Sequence, residues 1–132
     1  MSMPLSSPSR CPVLVVDDDH AIREALSMIL EDEGYVVETA ENGHEALQYL
    51  QHGGRPCLIV LDLKMPVMTG QEFRAEQQRD TTISSIPVAI ISAHIVPGMK
   101  PEVEADAFLP KPINYDEFLD TVASYCPGSS CS

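Results

Sequence analysis

The sequence predicts an α/β domain with a doubly wound, five-stranded parallel sheet and helices on both of its faces. Short aliphatic runs alternate along the chain with amphipathic segments of helical period. The aliphatic runs are continuous, which indicates strands that are buried on both faces. The length of 132 residues suits one hydrophobic core and excludes a second sizeable domain.

Two strand–helix units are predicted in the first part of the chain. Residues 13–16 form an aliphatic strand, and apolar residues at helical spacing follow it as far as Gly34, which is typical of a helix stop. Residues 35–39 form a second, β-rich run. Asn42 then caps a second helix, which Gly53 closes.

Three further strands are predicted in the rest of the chain. Residues 57–61 form the third strand, and a weaker helix passes through Phe73. Residues 88–91 form the fourth strand and residues 108–109 mark the fifth. Asn114 caps the last helix, whose apolar residues again recur at helical spacing.

The helix expected between the fourth and fifth strands is predicted to be short or irregular. Pro97, Gly98 and Pro101 interrupt this segment, and proline removes a backbone donor and clashes inside a helix. We expect residues 94–104 either to take no part in signalling to a partner or to become ordered only in an activated state.

Charged and polar side chains follow four of the predicted strands. Asp17 and Asp18 follow the first, Asp62 the third, Ser92 the fourth and Lys111 the fifth. The carboxyl ends of parallel strands share one edge of a sheet, so these groups are expected to converge there. Clustered carboxylates need a cation between them and suit Mg²⁺, while lysine and serine can hold a phosphoryl group. The pattern therefore predicts magnesium-dependent phosphoryl chemistry.

Four segments resemble the signature segments of response-regulator receiver domains of two-component signalling, in the CheY-like superfamily. They are VLVVDDDHAIREAL, LIVLDLKMPVMTG, PVAIISAH and FLPKPIN, and they occur in the family's order over residues 11–126. The separations of 45 residues from Asp17 to Asp62 and of 30 from Asp62 to Ser92 also agree with the family. The separation of 19 residues from Ser92 to Lys111 is shorter than usual. The resemblance implies a flavodoxin-like fold of receiver type.

The resemblance also implies how this chain handles phosphate. Asp62 would be the phosphoacceptor, taking the group from a phosphohistidine on a histidine kinase or a histidine phosphotransfer protein. Mg²⁺ would be held by Asp17, Asp18 and Asp62 with the backbone carbonyl of Lys64. The side chain of Lys64 is also expected to alter the lifetime of the acyl phosphate.

The remaining roles implied by the resemblance concern the response to phosphorylation. Lys111 would pair with the phosphoryl oxygens and Ser92 would reorient to hydrogen-bond them. Phe108 would be the aromatic switch residue whose rotamer follows Ser92. The Lys111–Pro112 peptide bond is expected to be cis. A self-catalysed phosphoacceptor of this kind is a signalling protein and not an enzyme in the ordinary sense.

The composition limits the possible partners and the compartment. The formal net charge of -12 disfavours direct nucleic-acid binding, and the sequence has no apolar stretch near the roughly 20 residues that span a membrane. The cysteines form no CxxC pair, Cys57 is expected to be a buried thiol, and a reduced, cytoplasmic location is predicted. The four histidines are read as structural or exposed.

Residues 1–10 are predicted to form a disordered arm, residues 11–126 the receiver domain and residues 127–132 a flexible tail. With no effector domain following, the chain is expected to act alone on a downstream protein, as a relay intermediate or as a possible homodimer, unless it is an excised part of a longer protein.

Other functions remain open from the sequence. A haloacid-dehalogenase-like phosphatase would use the D-x-D formed by Asp17 and Asp19, although Ala21 departs from that family's pattern. A flavodoxin-like FMN carrier would need a Ser/Thr/Gly-rich loop after the first strand, where this chain has DDDHA. A scaffold that keeps the fold without phosphorylation is less consistent with the complete set of acceptor residues.

Overall fold

The computed structural model describes residues 12–62, 70–92 and 105–126. Five parallel strands form one sheet in the order β2-β1-β3-β4-β5, with helices in the connections. In chain order the elements are β1 Val13–Val16, α1 His20–Asp32, β2 Val37–Ala40, α2 Gly43–Gln51, β3 Leu58–Asp62, α3 Gly70–Arg79, β4 Val88–Ser92, β5 Ala107–Pro110 and α4 Tyr115–Tyr125. This confirms the predicted fold class. The segment predicted to form a short or irregular helix between β4 and β5 lies outside the described residues.

The sheet separates two apolar layers because successive side chains of a strand point to opposite faces. On one face, alternate residues of β1, β3 and β4 pack with buried side chains of α2 and α3, including Leu50 and Phe73. On the other face, the intervening strand residues pack against α1 and α4 through Leu26, Leu30 and Phe118. The strands of the sheet centre are therefore buried on both faces, as their continuous aliphatic sequences predict. Among the described residues, no helix is long and apolar enough to cross a membrane.

The helix ends follow the predicted capping pattern. The Asn42 and Asn114 side chains accept hydrogen bonds from backbone N–H groups in the first turns of α2 and α4. Gly34 and Gly53 follow α1 and α2 with φ of 93° and 100°, a backbone region that glycine enters at little steric cost. The Tyr35 N–H donates to the Leu30 carbonyl, so this residue completes the end of α1, and β2 begins two residues later than predicted.

A disulfide joins Cys57, just before β3, to Cys126, at the end of α4, with 5.5 Å between the Cα atoms. The expectation of a free thiol at Cys57 is therefore wrong. The two residues lie 69 positions apart, and no spacing rule connects the start of a central strand with the end of the last helix. A cross-link over a segment of this length typically stabilises a fold by about 4 kcal/mol in the chain-entropy account.

Candidate functional site

The strand register brings the predicted site residues to one edge of the sheet. Val16 of β1 is level with Leu61 of β3, so Asp17 and Asp62 are neighbours at the carboxyl ends of adjacent strands. Ser92 ends β4, and its carbonyl accepts a hydrogen bond from the Lys111 N–H at 3.0 Å. Parallel pairing in this order therefore places the ends of four strands side by side, as the sequence predicts.

Three carboxylates form the acidic part of this edge. Asp17 and Asp62 are buried while Asp18 is exposed, and one ligand oxygen from each of the three lies within 4.8 Å of the others. The group thus combines two carboxylates held by the protein interior with one that faces solvent. The arrangement keeps an open side through which water or a substrate oxygen can approach.

Magnesium fits this donor set. The ion prefers hard oxygen ligands at about 2.1 Å, so oxygens on opposite sides of it are about 4.2 Å apart. One oxygen from each of Asp17, Asp18 and Asp62 lies within 4.8 Å of the other two, so the three carboxylates are close enough together to share one ion of this kind.

Lys111 supplies a fixed positive charge beside the two buried carboxylates. Its Nζ lies 3.5 Å from Asp17 Oδ2 and 3.5 Å from Asp62 Oδ1. The side chain is 22% exposed, so the charge is partly screened from water and acts more strongly than one at an open surface. The following bond, between Lys111 and Pro112, is cis, as the family resemblance predicts.

Backbone hydrogen bonds hold the loop after β1 in place. The Asp19 N–H donates to Asp17 Oδ1 at 2.9 Å. The Asp19 carboxylate accepts hydrogen bonds from the N–H groups of Ala21 and Ile22 and so caps α1. Because Asp19 is exposed and engaged at the helix start, the structure does not support the D-x-D pair that the phosphatase alternative requires.

Arg23 also supports the acidic edge, which the sequence analysis did not predict. Its Nη1 donates to the Asp17 carbonyl at 2.6 Å, from one turn inside α1. The sequence separation of six residues between Asp17 and Arg23 could have indicated this contact, because an arginine near the start of a helix can reach back to the end of the preceding strand. The contact fixes the main chain that carries Asp17 without engaging its carboxylate.

Burial raises the pKa of the Asp17 carboxyl above its usual range, because the charged form loses its hydration. The hydrogen bond from Asp19 and the nearby Lys111 lower the pKa and offset part of this effect, while Asp18 raises it slightly. Between the ordinary carboxyl pKa and the raised value, the folded chain binds more protons than the unfolded chain. The free energy of unfolding therefore falls as pH rises through that window, and ionised Asp17 destabilises the metal-free fold.

Replacing Asp17 with asparagine is expected to stabilise the metal-free protein at pH 7. Asparagine retains a side-chain oxygen that can accept the hydrogen bond from the Asp19 N–H and removes one buried negative charge, which should raise the free energy of unfolding by about 1–3 kcal/mol. Urea unfolding with a chelator at pH 7 and at pH 4.5 measures the effect, which should shrink at the lower pH. Asp120→Asn, on the exposed face of α4, is the control; a less stable Asp17→Asn at pH 7 would refute the assignment.

The other predicted residues are placed as follows. Phe108 lies on β5, partly buried against the apolar layer of α2 and α3. Ser92 is buried at the end of β4. The backbone carbonyl and the side chain proposed for Lys64 lie outside the described residues. His20, His44 and His52 are exposed, as predicted, whereas His94 also lies outside the described residues.

Comparison with known proteins identifies one family. The family model described as "Response regulator receiver domain" matches residues 13–123. The response regulator Rre1 of Synechocystis is 37% identical over 109 residues, which cover 80% of this chain and 47% of that protein. The transcriptional regulatory protein CpxR homolog of Haemophilus influenzae is 41% identical over 110 residues, covering 81% of this chain and 46% of that protein. The chain thus spans about half the length of these curated relatives.

Solved structures share the whole fold. The chemotaxis protein CheY4 of Vibrio cholerae superposes with a TM-score of 0.80 at 37% identity, covering 89% of this chain and 99% of that one. The signal receiver domain of a signal transduction histidine kinase from Syntrophus aciditrophicus superposes with a TM-score of 0.78 at 29% identity. The superposition covers 92% of this chain and 94% of that one. The similarity therefore extends over most of the chain.

Proposed function

The chain belongs to the response regulator receiver domains, and we propose that it accepts a phosphoryl group on Asp62 in two-component signalling. The observation that carries the proposal is the convergence of Asp62 with Asp17, Asp18 and the Lys111 amine at one sheet edge. A lone carboxylate after a strand is commonly a turn former. A carboxylate held among two others and a lysine is suited to phosphoryl transfer.

In the proposed reaction, an Asp62 carboxylate oxygen attacks the phosphorus of a phosphohistidine. The new O–P bond forms as the P–N bond breaks, and the imidazole leaves with the electron pair and takes up a proton. The product is an acyl phosphate on Asp62 with a neutral histidine on the donor. Because the carboxylate and the phosphoryl group are both anionic, positioning and charge must supply most of the acceleration.

Lys111 and Ser92 provide the protein's share of that stabilisation. The Lys111 amine, already 3.5 Å from Asp62, pairs with a phosphoryl oxygen after transfer, because the negative charge of the Asp62 carboxylate is then replaced by that of the attached phosphoryl group. The Ser92 hydroxyl, at the end of the neighbouring strand, turns to donate a hydrogen bond to another oxygen. Phe108 on β5 then changes its rotamer and carries the change to the surface.

The carboxylates of Asp17, Asp18 and Asp62, with the Lys64 carbonyl, would hold Mg²⁺, which would supply positive charge that offsets the repulsion between the nucleophile and the phosphoryl group. The cytoplasm is the proposed location. A histidine kinase or histidine phosphotransfer protein is the proposed donor, and a downstream protein, reached through protein contacts, is the proposed target. Homodimerisation is a further possible output of the same surface change.

The domain organisation belongs to the same proposal. Residues 11–126 form the receiver unit, with residues 1–10 and 127–132 as short flanking segments. The unit corresponds to about half of the curated relatives.

The test is intact-mass analysis of the full chain after incubation with acetyl phosphate and Mg²⁺. One phosphoryl adduct per chain is expected with Mg²⁺, and a loss of at least about 90% of it is expected when a chelator replaces the ion, because the carboxylate cluster repels the donor. The adduct should disappear at alkaline pH with hydroxylamine, as an acyl phosphate does. An adduct of equal yield without divalent cation would contradict the proposed role of the acidic cluster.

A further inference from the structure

Cys57 and Cys126 meet at the amino-terminal edge of the sheet, away from the proposed phosphoacceptor. Cys57 directly precedes β3, whereas Asp62 is the last residue of that strand. Five residues of extended chain separate their levels by about 16 Å. The two cysteines are thus a pair of reactive side chains to which the proposed function assigns no role.

Noncovalent packing also holds the end of α4 against the layer that contains Cys57. Phe118, Val122 and Cys126 recur every four residues along α4 and are all buried in the layer against β1 and β3. The Cys126 N–H donates to the Val122 carbonyl at 2.7 Å, which extends the helical hydrogen bonding to the cysteine. The Cα separation of 5.5 Å falls in the range that a disulfide bridges without strain in the backbone.

The surroundings of Cys57 also suit the reduced state. Its Sγ lies 3.7 Å from the Pro12 carbonyl oxygen, a distance at which a thiol S–H can donate to oxygen. The Cys57 N–H donates to the same carbonyl at 2.9 Å. A free thiol at this position would consequently have a polar partner within reach.

The two cysteine residues differ in exposure. Cys57 is partly buried, whereas Cys126 is only 1% exposed. A small reagent would therefore reach Cys57 first, and Cys126 would react from inside the protein. Such an order is typical of a pair in which one residue is attacked and the other resolves the intermediate.

We propose that Cys57 and Cys126 form a reversible thiol–disulfide exchange site that takes low-molecular-weight disulfides of the glutathione class. The Cys57 thiolate attacks the small disulfide, forms a mixed disulfide and releases one thiolate. The Cys126 thiol then loses its proton and attacks the Cys57 sulfur, releasing the second thiolate. Two protein thiols are oxidised, and one small disulfide is reduced to two thiols.

The exchange controls how firmly the last turn of α4 is attached to the sheet. In the oxidised form the covalent bond fixes that turn to the start of β3. In the reduced form only the packing of Phe118, Val122 and Cys126 holds it. A reducing cytoplasm favours the dithiol form and an oxidising environment favours the cross-link, so the state of the pair reports the surrounding redox potential independently of Asp62.

The test combines alkylation mapping with thermal unfolding of the full chain in graded mixtures of reduced and oxidised glutathione. Peptide mapping after denaturing alkylation should show Cys57 and Cys126 becoming protected together as the oxidised fraction rises. The melting temperature of the reduced protein should lie about 15 °C below that of the oxidised protein. A fast alkylation pulse on the folded, reduced protein should label Cys57 before Cys126.

Matched variants separate this pair from the other cysteines. Cys57→Ser/Cys126→Ser should lose the response to glutathione, while Cys11→Ser/Cys131→Ser should keep it. If the double serine variant at the pair fails to fold, Cys57→Ser alone gives the same readout and leaves the buried residue intact. The proposal is overturned if both residues stay alkylatable at every glutathione ratio, if both stay protected at every ratio, or if melting is unchanged by full reduction.

Discussion

Asp62→Asn is expected to abolish formation of the acyl phosphate. Asparagine has nearly the same shape, but its amide offers no anionic oxygen that can attack phosphorus. The expected yield with acetyl phosphate and Mg²⁺ falls from about one adduct per chain to below about 1%, a loss that follows from removal of the nucleophile itself. Intact-mass analysis of the wild type and the variant under identical conditions measures the change.

The control for this substitution is Asp120→Asn, which removes one exposed charge from α4 and should be acylated as the wild type is. Far-UV circular dichroism and the melting temperature should show that Asp62→Asn remains folded, because it relieves repulsion between neighbouring carboxylates. A phosphoryl adduct that persists at wild-type yield would locate the acceptor at another residue and refute the proposed function.

Lys111→Met is expected to give the second largest effect. Methionine keeps most of the side-chain length and removes the charge that lies 3.5 Å from both Asp17 and Asp62. Loss of a preorganised charge beside the reacting group should slow acylation by about 100-fold to 1000-fold. A time course of the intact mass at saturating acetyl phosphate gives the rate, and the backbone hydrogen bond from residue 111 to Ser92 is unaffected by the substitution.

The same substitution should also lower the stability of the metal-free protein, since it leaves two buried carboxylates without their cation. Lys111→Met should thus lower the free energy of unfolding, whereas Asp17→Asn should raise it. The two variants together test whether the balance of charges at this edge determines the stability of the metal-free protein. Lys111→Arg is the matched control, because it retains the charge with a different head group and should keep more of the rate than Lys111→Met. Acylation of Lys111→Met within twofold of the wild type would exclude the assigned role.

The sequence predicted the sheet and the membership of the acidic edge because both depend on local patterns. Aliphatic runs such as 13–16 and 58–61 identify buried strands, and the polar residues that follow them must meet once the strands are parallel. Asn42 and Asn114 could be assigned as caps from one turn of sequence alone. The helix through Phe73 had the least distinct sequence pattern of those predicted. Phe73 is nevertheless fully buried in the core.

The features that were missed depend on long-range geometry. The Cys57–Cys126 bond joins positions whose proximity is set by how α4 seats against the sheet, and cysteine spacing carries no information about that packing. The hydrogen bond from Arg23 to the Asp17 carbonyl requires a specific rotamer and a specific loop path. The start of β2 was misplaced because Tyr35 closes the preceding helix, a tertiary outcome that its β-propensity does not indicate.

The bonds among Pro12, Cys57 and Cys126 have a practical meaning for protein engineering. Pro12 and Cys126, the first and last described residues, both lie beside Cys57 at the amino-terminal edge of the sheet. A fluorescent reporter, a surface tether or a host protein could be joined near either residue. This position is at the opposite end of strand β3 from Asp62, so an attachment beside Pro12 or Cys126 would begin about 16 Å from the level of the phosphoacceptor along the strand.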